Sequence, residues 1–408
     1  MTGRDRTKGN NRRRMSIVGG AVGAFAAAAA MATGSAVTAA PAKADIDALL
    51  DPIIQPIITS LSDAIVGFDP AAATDLTSWT DSLLASLNSL DIGAALPASA
   101  EPAAALAAAD PSSSYEIPIT MAEGTEPTVQ ASIDGTSNTL LVDTGSSGLV
   151  VPWEALGSND LSALYNLFTL GFPSSFGESG YSGGVDYFYA TYDTIPVDYG
   201  SGAGALDTSG EPTDVVLFSW PSSVSSQVDS FEQFLADNDS PGGILGIGPN
   251  TGGPGTSPFE SLGGVTIDIS NPSAGTGDLI VGADNPFSGT STLSSAPSVA
   301  TWVSVDGAAP QEIVNDLDSG GATGALPSSL FTSSEYNSST DLVNPGTTIA
   351  VYSNQAETDL LYSYTVSADN DPYVVSGSDM DSGIEPYLLG PIFMSYSPAS
   401  TGTTIFDY

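Results

Sequence analysis

From residue 115 onward the sequence predicts an all-β body of roughly 290 residues, on three observations. Short apolar runs, among them YEIPITM, TVQASI, TLLVDT, DVVLFSW, DLIVGA, TWVSVDG and TTIAVYS, are separated by clusters of Gly, Pro, Ser and Asp, the pattern of strands and their turns. None of these runs is long enough for a membrane-spanning helix. The string DTGSSGLVVP, from Asp143 to Pro152, returns as DSGGATGALP from Asp318 to Pro327. In both copies Ser or Thr follows the Asp, Gly stands two after it and Pro nine after it. Each copy reads as a strand ending in a tight turn, where the glycine admits backbone conformations or close approaches that a Cβ would block. A repeat centred on a carboxylate is what a two-carboxylate active site requires.

The elements follow in chain order. Residues 1–44 carry a basic run, Arg12 to Arg14, an Ala/Gly-rich stretch from Ile17 to about Val37, and the small-x-small sequence Ala42-Lys43-Ala44, the parts of an export signal by the twin-arginine or Sec route rather than a membrane anchor. From Asp45 to about Leu90 apolar residues recur at three-to-four spacing, which predicts a short helical segment, and the Ala/Pro/Ser-rich stretch that follows to residue 114 reads as a linker. The acidic stretches 157–185 and 332–345 read as insertions in the β body.

Composition restricts the chemistry. All seven basic residues lie within the first 43 positions, the chain has no His or Cys, and all but Asp5 of its 47 acidic residues lie beyond residue 44. A chain cut after Ala44 therefore has no means of building a Ser-His-Asp or Cys-His site, a Schiff-base lysine, an arginine clamp or a His/Cys zinc site. Carboxylates, hydroxyls and backbone amides remain, with no metal or cofactor called for. Nucleic acid is excluded as a partner, because phosphate binding relies on Lys and Arg.

These residues resemble the pepsin-like aspartic proteases. DTGSSGLVV is similar to the family's first active-site motif, and Tyr199-Gly200-Ser201-Gly202 to the tip of the flap that closes over substrate. Gly243-Ile244-Leu245-Gly246 resembles the strand beneath the first catalytic loop, Gly277 to Gly282 the end of the first lobe, and Trp302 to Gly307 the opening of the second. Leu388-Leu389-Gly390 and Thr404 to Asp407 resemble the closing segment. Asp381 also begins an Asp-Ser-Gly but stands only nine residues before Gly390, so Asp318 is taken as the second catalytic residue. The resemblance implies two β-rich lobes related by a pseudo-two-fold axis, residues 115–290 and 291–408, with Asp143 and Asp318 meeting across the cleft. It implies that Thr144, Gly145, Ser146, Ser319 and Gly320 support the pair, and that Tyr199, Gly200 and Ser201 form the flap over a protein or peptide substrate. Two positions depart from the pattern: Gly321 stands where the family usually has a hydroxyl, and Val150 where it has an aromatic.

Within that family the Ala-rich N-terminal part and the cysteine-free body resemble the mycobacterial secreted aspartic proteases that trim PE-domain proteins. The expectation is a monomeric, secreted or cell-envelope endopeptidase without a stable membrane anchor. Its alternatives are a catalytically silent pepsin-like binding module, motivated by Gly321, and an acidic carboxylate-dependent wall-associated hydrolase or calcium-binding protein.

Overall fold

The computed structural model describes residues 114–408 apart from 183, 201–205, 224–225, 227 and 270–274. The expected export signal, helical segment and linker lie outside the described residues. The body is mostly β and falls into two sheets, one of fifteen strands and one of nine among the described residues. It has the bilobal pepsin-like architecture, each sheet built around one copy of the repeat.

In the first sheet the arms of the Asp143 loop, Thr136–Asp143 and Ser147–Pro152, are held apart by Gly243–Ile247. That strand runs parallel to the first arm, with Gly246 opposite Asp143, and antiparallel to the second, with Gly246 opposite Gly148. In the second sheet Gln311–Asp316 and Ala325–Pro327 flank the Asp318 loop, and Met380–Asp381 enters between them in the same two senses. The correspondence extends outward. Glu126–Ile133 pairs with the first arm as Ser298–Val305 pairs with its counterpart, and Thr213–Pro221 runs parallel to Ser147–Pro152 as Tyr373–Val375 does to Ala325–Pro327. With a third strand between its arms, each loop leaves the sheet and presents its Asp at the edge.

The central strands are apolar apart from Ser147 at the start of one of them, because both faces are covered. Every residue of Ser147–Pro152 and Gly243–Ile247 is buried. A Cβ at Gly246 would lie 2.8 Å from the Gly148 carbonyl oxygen, so only glycine lets the inserted strand approach this closely. One continuous apolar core runs through both sheets, and a satellite of Leu141, Val150, Tyr187, Val216, Phe231, Phe234 and Ile244 lies on the other face of the first. With no cysteine in the chain, this burial is the main stabilising contribution, at about 1.5–3 kcal/mol per fully buried large apolar side chain.

Two expectations are corrected. Residues 157–185 are not a featureless insertion. They hold the helix Asp160–Thr169, opened by a reciprocal capping box between Asn159 and Ser162, and the strand Ser175–Tyr181, which forms a hairpin with Val185–Tyr192. Of the segment that resembles the family's closing one, Leu388 and Leu389 end the short helix Glu385–Leu389, and the strand inserted in the second loop is Met380–Asp381. A boundary at residue 290 does not divide the sheets either. Ser291–Leu293, Ile392–Ser395 and Thr403–Phe406 all join the first sheet, through pairing of Ile392–Ser395 with Gly264–Asp268.

Candidate active site

Asp143 closes its strand, and Asp318 lies two residues beyond the end of Gln311–Asp316. Both are buried, at 6% and 4% exposure. The two loops meet so closely that the glycine of each lies against the carboxyl of the other. A Cβ at Gly145 would stand 2.5 Å from Asp318 Cγ, and one at Gly320 would stand 2.9 Å from Asp143 Cγ. Glycine two after each Asp is thus the condition for the carboxyls to come together. Within each loop the same glycine fixes its own carboxylate: Gly145 N–H donates to Asp143 Oδ1 at 2.8 Å and Gly320 N–H to Asp318 Oδ1 at 2.9 Å.

The hydroxyls after the two aspartates do not orient the carboxyls as expected; they clasp the loops together. Thr144 N–H donates to Ser319 Oγ at 3.1 Å, and Ser319 N–H donates to Thr144 Oγ1 at 2.8 Å. Thr144 Oγ1 donates onward to the Leu317 carbonyl at 2.5 Å, and Ser319 Oγ to the Val142 carbonyl at 2.7 Å. These bonds cross between the repeats and obey the same two-fold relation as the strands. Tyr387 adds a bond that has no symmetric partner, its hydroxyl donating to the Leu317 carbonyl at 2.9 Å. Ser146 is the hydroxyl that reaches a carboxylate, donating to Asp143 Oδ2 at 2.5 Å.

The pair is asymmetric electrically. Burial raises the Asp318 carboxyl well above the usual range, and the neighbouring Asp143, Asp381 and Asp316 carboxyls raise it further. Asp143 accepts from Gly145 and Ser146. Like charges so close cannot both ionise cheaply, so the two carboxyls share one proton. Among the described residues no group of three or more Asp or Glu side chains is arranged to hold a metal ion.

Tyr199 is not brought to the pair. It is fully buried in the core, its ring edge-on to Phe259 at 5.1 Å between centroids. Gly200, next in the chain, takes the left-handed region at φ +81°, and Ser201 lies outside the described residues. Besides Tyr387, a second tyrosine near the pair is Tyr181, where the preceding strand Ser175–Tyr181 ends. It stacks on Phe234 at 5.3 Å and Tyr187 at 5.7 Å. Burial raises its hydroxyl most, followed by Tyr187 and the Asp143 carboxyl, while Ser146 opposes the shift, which locates the phenol on the Asp143 side. The signal for it was present in the sequence: Tyr181-Ser182-Gly183-Gly184 is a turn preceded by an aromatic, followed by a strand with Tyr187 on its buried face.

The family model for the PE-PGRS C-terminal aspartyl peptidase-like domain matches residues 115–404. PE cleavage protein A of Mycobacterium tuberculosis (strain ATCC 25618 / H37Rv) is 34% identical over 311 residues, covering 72% of this chain and 51% of that protein. The protein of the same name from Mycobacterium marinum is 35% identical over 313 residues, covering 71% and 52%. The chain thus spans about half the length of the curated relatives it matches. An aspartic proteinase from Irpex lacteus superposes with a TM-score of 0.47 at 16% identity, over 72% of this chain and 97% of that one.

Proposed function

Because the chain belongs to the family of PE-PGRS C-terminal aspartyl peptidase-like domains, we propose that it is an exported aspartic endopeptidase acting on proteins of the cell surface. The observation that carries the reading is the reciprocal packing of Gly145 and Gly320 against the opposite carboxyls, which brings one aspartate from each repeat to a single point. In the proposed reaction Asp143 draws a proton from a water held between the carboxyls. Asp318 hydrogen-bonds the scissile carbonyl with the proton it already holds. The water adds to the carbonyl carbon and gives a tetrahedral diol, with no covalent bond to the enzyme. Asp318 gives its proton to the carbonyl oxygen as the diol forms, and the diol then collapses as Asp143 hands the proton it took from water to the departing amine and Asp318 recovers its own. Tyr181, beside Ser146, covers the Asp143 side and excludes bulk water.

The substrate class we propose is PE-domain proteins, in keeping with the name that the M. tuberculosis and M. marinum relatives bear. The location we propose is the cell envelope or the medium, reached through the basic, Ala/Gly-rich signal of residues 1–44. Incubation with a mixed peptide library between about pH 3 and pH 7 tests the reading. Cleavage that disappears in Asp143→Ala supports it. A statine-type peptide, whose hydroxyl mimics the diol, should bind and raise the melting temperature. Statine binding without any cleavage would favour a silent peptide-binding module.

A further inference from the structure

The two halves of the site differ at one place. Three residues after Asp143 stands Ser146, whose hydroxyl donates to Asp143 Oδ2 at 2.5 Å. Three residues after Asp318 stands Gly321, with no side chain. The space is filled from elsewhere. A Cβ at Gly321 would lie 2.5 Å from Asp381 Oδ1 and 3.0 Å from Asp381 Oδ2.

Asp381 reaches this place because its strand is the one inserted between the arms of the second loop, with Asp381 opposite both Asp316 and Ala325. It is 6% exposed. Oδ1 accepts from the Gly383 N–H at 2.9 Å, while Oδ2 is buried and has no hydrogen-bond partner within the protein. The ionisable groups facing it are the carboxyls of Asp316, Asp318 and Asp143 and the phenols of Tyr362 and Tyr364. Among the described residues no cation offsets them, since every Lys and Arg lies in the first 43 residues. Burial first raises the Asp381 carboxyl well above the usual range, with the Gly383 N–H opposing and the Asp316 and Asp143 charges adding to the rise. A neutral carboxylic acid carries an O–H donor, as the Ser146 hydroxyl does.

We propose that Asp381 is the positioning residue of Asp318. As an acid it takes the place beside Asp318 that the Ser146 hydroxyl takes beside Asp143, and residue 321 is glycine in order to admit it. The proposal rests on the peptidase reading above. The apparent gap at Gly321 is then a substitution in space, with one loop supplying its donor locally and the other receiving it from a strand 60 residues further along the chain.

The test is a set of variants scored by kcat, KM, melting temperature and affinity for a statine peptide. Asp381→Ala should lower kcat about tenfold or more, with KM within about twofold, because the lost hydrogen bond acts on a reacting carboxyl. Asp381→Asn, which keeps an N–H donor and the side-chain volume, should lose less. Gly321→Ser should lower activity in the wild type, where its Cβ meets Asp381, and raise it in the Asp381→Ala background. That reversal of sign is the mark of coupled residues. Gly321→Ala in the Asp381→Ala background fills the space without a hydroxyl and should leave kcat low. Should Asp381→Ala fail to fold, the Asn variant and the two double variants carry the comparison. Unchanged kcat in Asp381→Ala, a loss in Asp381→Asn as large as in Asp381→Ala, or equal rescue by G321A and G321S overturns the proposal while leaving the peptidase reading intact. A wild type that neither cleaves peptides nor binds the statine overturns both.

Discussion

Replacing Asp316 by Asn should make the protein more stable at neutral pH and change its stability least near pH 4. Asp316 is buried beside the catalytic loop, where Ser298 Oγ donates to its Oδ1 at 3.1 Å. Burial pushes its carboxyl from 3.8 up to about 7, with smaller contributions from the Asp143 and Asp379 charges and opposition from Ser298. Because the folded value lies above the unfolded one, the native state binds a proton that the unfolded chain releases. The resulting stabilisation is complete below about pH 4 and is lost as pH rises through about 7. A shift of about three units corresponds to an upper bound of about 4 kcal/mol, and relaxation around the ionised group brings the expected loss to about 2–4 kcal/mol. Asn retains an oxygen for the Ser298 bond and cannot ionise. The advantage of Asp316→Asn over wild type should therefore widen between pH 4 and pH 7.5 by roughly 4–8 °C in melting temperature. Scanning calorimetry at low ionic strength reads this directly. An advantage that stays constant or shrinks as pH rises would refute the reasoning.

The other expectations rest on separate contacts. Thr144→Val removes the acceptor for Ser319 N–H and one of the two donors to the Leu317 carbonyl, which keeps Tyr387; leaving the buried Ser319 N–H unpaired should cost about 1–3 kcal/mol in urea unfolding and lower kcat. Gly145→Ala and Gly320→Ala should each lower kcat at least about a hundredfold, because the new methyl meets the opposite carboxyl and a misplacement of about 1 Å has that effect; peptide-cleavage rates measured on folded protein decide it. Tyr181→Ala should impair cleavage more than Tyr199→Phe, since Tyr181 is the one beside the Asp143 side of the pair. Finally, Glu154, raised to about 7 mainly by burial, and Asp214, raised to about 6 by the same cause, destabilise the fold as pH rises for the reason given for Asp316. With few cations to offset the acidic residues, salt at pH 7 should raise the melting temperature by screening, and a fall would contradict that sign.

The elements that could be read from the chain are those whose reasons are local. The two Asp-x-Gly turns are legible because only glycine tolerates a carboxyl against its Cα, and because each follows an apolar strand. Gly243–Ile247 is legible because a strand buried on both faces must be apolar throughout. The exchange of Gly321 for Asp381 is not local: Asp381 stands in a two-residue strand whose only sequence mark is an Asp-Ser-Gly that reads as a surface turn, and its place is set by pairing with residues about 60 positions earlier. Gly390 drew attention for the opposite reason, since an apolar pair before glycine matches the pattern although Leu388 and Leu389 belong to a helix end. The two candidate flap tyrosines have similar neighbours, each before a Gly/Ser turn, and only the three-dimensional path of the hairpins separates them. The return of Ile392–Ser395 and Thr403–Phe406 to the first sheet likewise depends on partners far earlier in the chain.

The central claim is that Asp143 and Asp318 form one catalytic unit, and the most direct measurement compares cleavage of one peptide substrate by Asp143→Asn, Asp318→Asn and the double variant, each shown to be folded. Neither carboxyl can perform both proton transfers alone, so both single variants should fall to the same residual rate as the double variant. Cleavage that survives in Asp318→Asn but is lost in Asp381→Asn would contradict the account and make Asp381 the second member of the pair.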